Sequence, residues 1–117
     1  MHKEKNCIKI AGVIGDPIAH TRSPLIHQYW IKKNNINCFY VPLNVKLEEL
    51  EKKLKYIKEL DFKGLNVTIP HKENILKYCD DILEPVKVIG AANTLYFNNG
   101  NIIADNTDAY GFYNLLI

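Results

Sequence analysis

The sequence contains no apolar run that approaches the ~20 residues needed for a membrane-spanning helix. Its first residues, MHKEKN, are not followed by the apolar core of a secretory signal. The two signs of charge are nearly balanced. The chain has 15 Lys and Arg residues and 13 Asp and Glu residues, which gives a net charge of +2. We therefore expect neither a membrane nor a nucleic acid as a partner.

Cysteine is also scarce, and its spacing suits neither disulfides nor metals. The three cysteines, Cys7, Cys38 and Cys79, are odd in number and far apart, which argues against a disulfide framework and for a reducing compartment. Neither they nor the four histidines show the C-x-x-C or H-E-x-x-H spacing of common metal sites. We predict a cytoplasmic protein without a bound metal.

The six glycines form no dinucleotide-binding fingerprint, since GVIG at 12–15 is not G-x-G-x-x-G. Tyr29 and Lys33 match the Y-x-x-x-K pairing of some dehydrogenases. We instead interpret Tyr29 and its neighbour Trp30 as packing residues, and Lys33 as a solvated charge at a helix end.

Three apolar segments are predicted to be strands, at residues 7–15, 37–43 and 64–69. Pro70 ends the third, because proline cannot continue a central ladder. Farther along, two apolar strands flank Asn98-Asn99-Gly100, a composition typical of a hairpin turn.

Helices are predicted between these strands. Ser23 as N-cap and Pro24 begin the first, which stops at Asn34-Asn35. The second, at 46–64, is predicted to end at Gly64. Its apolar face comprises Leu47, Leu50, Leu54 and Ile57.

Shorter helices are predicted at 73–78 and 80–88, and a last one begins at Thr107 or Asp108. This alternation predicts an α/β fold, a three-layer sandwich with a mainly parallel mixed sheet and helices on both faces. The length suits one domain, 1–117. Because the last helix shows no stop signal before the final residue, we expect a fragment of a longer protein.

In such sheets ligands bind outside the carboxyl ends of the strands. The loops at those ends are GDPIAHTRS, TIPHK and ADNTD, with GAANT opening the hairpin nearby. Each polar residue there also has a purely structural explanation as a helix cap, a solvated charge or a partner for loop backbone. Their shared location favours a site for a small, hydroxyl-rich carboxylate. The candidates are Thr21, Ser23, Asn66, Thr68, Lys72, Asn93 and Asp108.

Taken in order, GDPIAHTRSPLIHQ, GLNVTIPHK, IGAANTL and DNTDAYGF resemble the N-terminal, substrate-binding domain of the shikimate dehydrogenase family, over about residues 8–117. The resemblance implies that Lys72 is catalytic and that Asp108 is its partner. It further implies that Thr21 and Ser23 hold the substrate carboxylate. The other residues it assigns to the substrate are Asn66, Thr68 and Asn93, and a looser match puts Glu84 beside the cofactor.

The activity implied is the NADPH-dependent reversible reduction of 3-dehydroshikimate to shikimate, in aromatic amino-acid biosynthesis. Lys72 would protonate the developing alkoxide. NADP(H) would be bound mainly by a Rossmann-type domain that is absent from this chain. Two residues depart from the family pattern: Thr21 stands where serine is more usual, and Ala109 where glycine often occurs.

Three alternatives stay open at this point. One is a related enzyme that also accepts quinate, and another is a folate-type dehydrogenase, which uses a Y-x-x-x-K helix. The third is a stand-alone binding module for a carboxylated polyol. The sequence does not indicate an oligomeric state.

Overall fold

The structure, a computed structural model, describes residues 9–18 and 23–107, with the backbone alone for Ser23. Its six strands are β1 (Lys9–Gly15), β2 (Cys38–Asn44), β3 (Gly64–Val67), β4 (Asp81–Ile82), β5 (Thr94–Asn98) and β6 (Asn101–Asp105). They form one sheet in the order β2-β1-β3-β5-β6-β4. β1 runs parallel to β2 and β3, and β4 parallel to β6, whereas β5 is antiparallel to both of its neighbours. The prediction of a mixed α/β sheet is confirmed.

The α-helices are α1 (Ser23–Lys33), α2 (Leu50–Glu59), α3 (His71–Asn74) and α4 (Glu84–Ile89), with 3-10 turns at Leu47–Glu49 and Ile75–Tyr78. The first predicted helix is confirmed, and the one predicted at 73–78 begins two residues earlier. In the described ranges, no helix combines the length and the apolar composition that crossing a membrane requires. The predicted last helix lies outside the described residues.

The prediction that the second helix ends at Gly64 is wrong. Helix α2 ends at Glu59, and Asp61 takes the left-handed conformation (φ 61°) that turns the chain. Gly64 instead begins β3, where a Cβ would lie 3.0 Å from the carbonyl oxygen of Leu95. The predicted apolar face is buried at Leu50, Leu54 and Ile57, but Leu47 is exposed in the preceding 3-10 turn.

The prediction of a helix at 80–88 is wrong for its first residues, because Asp81–Ile82 form strand β4. The Asp80 N–H donates to the carbonyl oxygen of Ile102 at 2.8 Å, and the Asp80 carboxylate accepts from the Ile102 N–H at 2.7 Å. Pairing with β6 therefore decides this segment, and the helix begins only at Glu84.

The core has two parts, on opposite faces of the sheet. Neighbouring residues of a strand point to opposite faces, so Val13 and Ile14 belong to different clusters. Ile14 lies in the larger cluster, which contains the buried leucines of α2. Val13 packs with Tyr40 in the smaller cluster, against which Ile31 of α1 packs. Core packing on both faces thus holds the central strands in place, together with the loops at their ends.

Two aromatic residues on the outer surface of α1 do not pack as we predicted. Tyr29 and Trp30 were expected to pack, yet they are 60% and 52% exposed in the described part of the chain. The Lys33 ammonium lies over both rings, 5.2 Å from the Trp30 centroid and 5.8 Å from that of Tyr29.

Candidate functional site

Five strands end at one edge of the sheet, because β1, β2, β3, β4 and β6 share a direction, and β5 begins there. Backbone hydrogen bonds join the loops at this edge. The Asp16 N–H donates to Ile69 O, and the Val45 N–H to Gly15 O, both at 3.0 Å. The loops after β1, β2 and β3 are therefore held together, as expected for the carboxyl edge of such a sheet.

Four of the predicted site residues come together at this edge: Asn66, Thr68, Lys72 and Asn93. All four are half-buried, so each is held by the protein and still reachable from solvent. The Lys72 carbonyl oxygen accepts from the Ala92 N–H at 2.8 Å, and the Val67 N–H donates to Asn93 O at 2.8 Å. The backbone of the lysine loop is thus fastened to the loop that carries Asn93.

The amide of Asn93 is held on both sides. Its Oδ1 accepts from the Thr94 hydroxyl at 2.9 Å and from the Thr107 N–H at 3.0 Å. Its Nδ2 donates one hydrogen to the Thr107 hydroxyl at 2.9 Å. Among the described residues nothing accepts the second Nδ2 hydrogen, which can donate to a ligand because a primary amide carries two.

Asn66 is held by Tyr40, a residue that sequence reasoning missed. The Tyr40 hydroxyl donates to Asn66 Oδ1 at 2.6 Å. The Tyr40 ring is buried and stacks on His27, with centroids 4.2 Å apart and planes at 15°. The Tyr40 N–H also donates to Gln28 Oε1 at 3.0 Å. The two partners, Tyr40 and Asn66, are 26 residues apart, so no local pattern could have paired them.

The loop before Lys72 is anchored by His71, also missed from the sequence. Its side chain is completely buried, and Nε2 lies 2.5 Å from the carbonyl oxygen of Val45. Because a carbonyl can only accept, this ring nitrogen carries the hydrogen. The His71 N–H donates to Thr68 O at 3.0 Å. Lys72 therefore follows a residue with little freedom to move.

Gly15 allows β1 and the lysine loop to approach closely. A Cβ at this position would lie 2.4 Å from Cγ2 of Thr68 and 3.1 Å from the carbonyl oxygen of Ile69. The methyl of Thr68 thus packs directly on the glycine. This contact sets the position of Thr68, and its only signal in the sequence is a glycine that ends an apolar strand.

Two buried polar residues precede the predicted Asp108. Asp105 accepts from the Tyr96 hydroxyl at 3.3 Å, and its backbone oxygen accepts from the Asn93 N–H at 3.1 Å. Asn106 Nδ2 donates to Ala91 O at 2.8 Å. Sequence reasoning did not single out either residue. Their contacts join the end of β6 to the loop that carries Asn93.

Of the remaining predicted site residues, the structure describes only the side chain of Glu84. Thr21 and Asp108 lie outside the described residues, as does the side chain of Ser23. Glu84 is exposed at the start of α4, after β4. It lies at the same edge but three strands from β3, about 14 Å at the usual strand spacing.

Neither described cysteine is suited to act as a nucleophile. Burial, and then the negative charge of Asp80, raises the pKa of Cys79 to about 11. Burial also raises the pKa of Cys38, although Lys9 opposes this effect. Thiols with raised pKa values are poorly reactive at neutral pH. Within 9–18 and 23–107, no three His, Cys, Asp or Glu residues are grouped so as to hold a metal.

A groove of about 300 Å³ runs between α1 and the sheet, beside these polar loops. Tyr40, Asn66 and Thr94 line part of it, but most of its lining is apolar. The hydroxyl and amide groups suited to a polar ligand lie instead at the carboxyl edge. The fold and this edge define an α/β domain with amide, hydroxyl and lysine groups gathered where such domains bind small polar ligands.

Comparison with known proteins agrees with this class. Residues 13–95 match the model of the shikimate dehydrogenase substrate binding domain. A shikimate dehydrogenase (NADP(+)) of Roseobacter denitrificans is 51% identical over 106 residues, 90% of this chain and 38% of that relative. The chain belongs to the family of shikimate dehydrogenase substrate-binding domains.

Two solved structures have the same fold. Shikimate 5-dehydrogenase from Thermus thermophilus, in complex with shikimate, superposes with a TM-score of 0.86 at 33% identity, over 93% of this chain and 42% of that one. A shikimate dehydrogenase in complex with NADP+ gives a TM-score of 0.88 at 39% identity, over 93% and 38%. This chain thus spans about two fifths of the length of its relatives.

Proposed function

We propose that residues 1–117 are the substrate-binding domain of an NADP-dependent shikimate dehydrogenase, which reversibly reduces 3-dehydroshikimate to shikimate. The observation that carries the proposal is the joint anchoring of Lys72 and Asn93 by the bond between Ala92 N–H and Lys72 O. It supports a site in which a cationic side chain and an amide donor meet one ligand. Membership of the family supports the choice of ligand.

In the proposed reaction Lys72 acts on the oxygen at C3 of the substrate. During reduction this carbonyl oxygen gains negative charge, which the ammonium stabilises and then neutralises by giving up a proton. In the reverse direction the neutral amine takes the hydroxyl proton. Anchoring of the backbone on both sides of Lys72 supports this role, because acid–base catalysis requires a group held within hydrogen-bond reach.

The other residues bind and orient the substrate in this proposal. Asn66 and Asn93 donate Nδ2 hydrogens to ring hydroxyl oxygens, and Thr68 contributes its hydroxyl. Thr21 and Ser23 hold the carboxylate near the start of α1, where unpaired backbone N–H groups favour an anion. Asp108 acts as the partner of Lys72 in this proposal and orients its ammonium by charge attraction. Together these groups match a ligand with one carboxylate, one carbonyl and several hydroxyls.

Among the described residues, the end of β1 does not fit NADP(H) as a main binding site. The space beside Gly15 is filled, since an added Cβ would lie 2.4 Å from Thr68 Cγ2 and 3.1 Å from Ile69 O. No room is left there for a pyrophosphate. The carboxylate of Glu84 fits a cofactor hydroxyl or amide, but it would repel phosphates. We therefore propose that NADP(H) binds mainly to a Rossmann-type domain outside this chain.

Two further parts of the proposal concern architecture and location. Core clusters on both faces of the sheet support a three-layer sandwich with helices on both sides. Cys38 and Cys79 are free thiols, which supports a cytoplasmic location.

A two-part experiment tests the proposal. Full-length protein is assayed for NADP-dependent oxidation of shikimate and, in parallel, of quinate. This domain is titrated with shikimate while its amide NMR shifts are recorded. We expect shikimate turnover, with shifts concentrated at 66–72 and 93–95. Binding without turnover by the full-length protein would indicate the polyol-binding module instead. Turnover of both substrates would indicate the quinate-accepting variant.

A further inference from the structure

Asn66 and Asn93 share a feature beyond their location. In both, the side-chain carbonyl oxygen accepts a hydrogen bond from a neighbouring hydroxyl, of Tyr40 at 2.6 Å and of Thr94 at 2.9 Å. A primary amide can rotate by 180° and exchange its donor and acceptor ends at little steric cost. The Thr107 N–H, which can only donate, also bonds Asn93 Oδ1 at 3.0 Å and fixes the orientation of that amide. A phenol hydroxyl is a stronger donor than acceptor, so Tyr40 favours the orientation of Asn66 that turns Oδ1 toward it. Each amide then directs its NH₂ group away from the hydroxyl that bonds its oxygen.

Tyr40 is itself held firmly enough to impose an orientation. Its side chain is 6% exposed, its ring stacks on His27, and its backbone N–H is fixed by Gln28. The Tyr40 oxygen is therefore held in place beside the Asn66 amide. Tyr40 packs in the smaller core cluster with Val13, on the same face of the sheet as the Asn66 side chain. The core on the α1 side is thus connected directly to a candidate substrate ligand.

We propose that Tyr40 is a positioning residue that fixes the Asn66 amide with its NH₂ group toward the substrate. This inference rests on the proposed function. With Asn93 oriented by the Thr107 N–H on its Oδ1, both amides act as donors, so the substrate atoms they meet must be acceptors. The site thereby selects hydroxyl or carbonyl oxygens at these two positions and disfavours groups that can only donate. Neither Tyr40 nor Thr94 needs to touch the substrate.

The test is a double-mutant cycle in the full-length enzyme, with Tyr40→Phe, Asn66→Ala and their combination. Tyr40→Phe keeps the ring and its stacking but removes the hydroxyl. We expect KM for shikimate to rise about three- to tenfold, as for loss of one neutral hydrogen bond, with kcat changed less than about twofold. In the Asn66→Ala background the same change should leave KM unaltered. Tyr56→Phe, on the exposed surface of α2, is the matched control and should resemble wild type.

Equal effects of Tyr40→Phe in both backgrounds would overturn the proposal, because they would mean that Tyr40 does not act through Asn66. So would an unchanged KM in the otherwise wild-type enzyme. A second measurement does not depend on the substrate: NMR of the Asn66 side-chain amide in the ligand-free protein. We expect its ¹³C and ¹⁵N shifts to change in Tyr40→Phe and not in Tyr56→Phe, and unchanged shifts would also overturn the proposal.

The two hypotheses can fail separately. A wild-type enzyme that neither binds nor oxidises shikimate would refute the proposed function. The NMR comparison would still decide whether Tyr40 orients the Asn66 amide. A wild-type enzyme that uses shikimate, with no coupling between Tyr40 and Asn66, would refute only the positioning role.

Discussion

The imidazole of His71 donates from Nε2 to the carbonyl oxygen of Val45, at 2.5 Å and in a completely buried setting. This bond joins the loop after β2 to the turn that precedes Lys72. Val45 in turn donates its N–H to Gly15 O, and the Thr68 N–H donates to Ile14 O, both at 3.0 Å. His71 therefore joins the chain after β2 to the turn after β3, and backbone bonds join both to the end of β1.

His71→Leu should destabilise the domain and impair catalysis together. It leaves a buried carbonyl without its donor, which costs about 1–3 kcal/mol of unfolding free energy. The loosened turn should also lower kcat, because Lys72 would be less firmly held. Urea unfolding measures the first effect, and steady-state kinetics of the full-length enzyme the second.

Gly100→Ala supplies a control for that variant. Gly100 has a φ of 81° in the hairpin turn, at the opposite end of the strands, so alanine there should cost about 1 kcal/mol without touching the site. We expect normal kcat from this variant. If His71→Leu kept a normal kcat as well, the histidine would have a purely structural role.

Lys72→Ala should lower kcat at least about a hundredfold and change KM less than about tenfold. The alkoxide exists only near the transition state, so an interaction with it acts chiefly on kcat, by the ~10²–10⁴-fold typical of acid–base catalysis. Lys72→Met keeps much of the stem's packing and should behave alike if the amine is responsible. Near-normal kcat in either variant across pH 6 to 10 would remove Lys72 from the mechanism.

Gly15→Ala should destabilise the domain by about 1–3 kcal/mol, because the new methyl would lie 2.4 Å from Cγ2 of Thr68. Displacement of Thr68 should also weaken shikimate binding. Thr68→Ser removes the clashing methyl but keeps the hydroxyl, so it is the change to combine with Gly15→Ala in a double variant. The double variant should recover part of the lost stability in thermal or urea unfolding. Strictly additive losses would contradict the contact.

Cys79 should make the folded state less stable at alkaline pH. Burial raises its pKa to about 11, so the folded protein keeps the thiol protonated where the unfolded chain ionises. The stabilisation is complete below about pH 9 and is lost as the pH rises through 11. Urea unfolding at pH 8, 9.5 and 10.5 should show a steeper loss in the wild type than in Cys79→Ser. Parallel pH dependences would contradict this assignment.

The family, the order of the main elements and four residues of the candidate site could be predicted without coordinates. The hairpin is an example of a local prediction that holds, since Asn99 and Gly100 both take the positive φ values that its turn requires. Asn66, Thr68, Lys72 and Asn93 were predicted to share one edge because parallel strands bring the loops at their carboxyl ends together, and the structure places all four there. The hairpin and the shared edge require only local composition and a general rule of sheet topology, whereas the family was predicted from the resemblance of four motifs.

The tertiary structure alone decided which residues distant in the sequence contact each other. Tyr40 meets Asn66, and His71 meets Val45, each across 26 residues, through packing that no periodicity encodes. Strand β4 forms because it pairs with β6. The local sequence pattern had indicated a helix at this position. The sequence by itself determined which residues are available at the carboxyl edge. How their amides and backbones are oriented was decided by contacts between strands, because a hydrogen bond depends on the position of both partners.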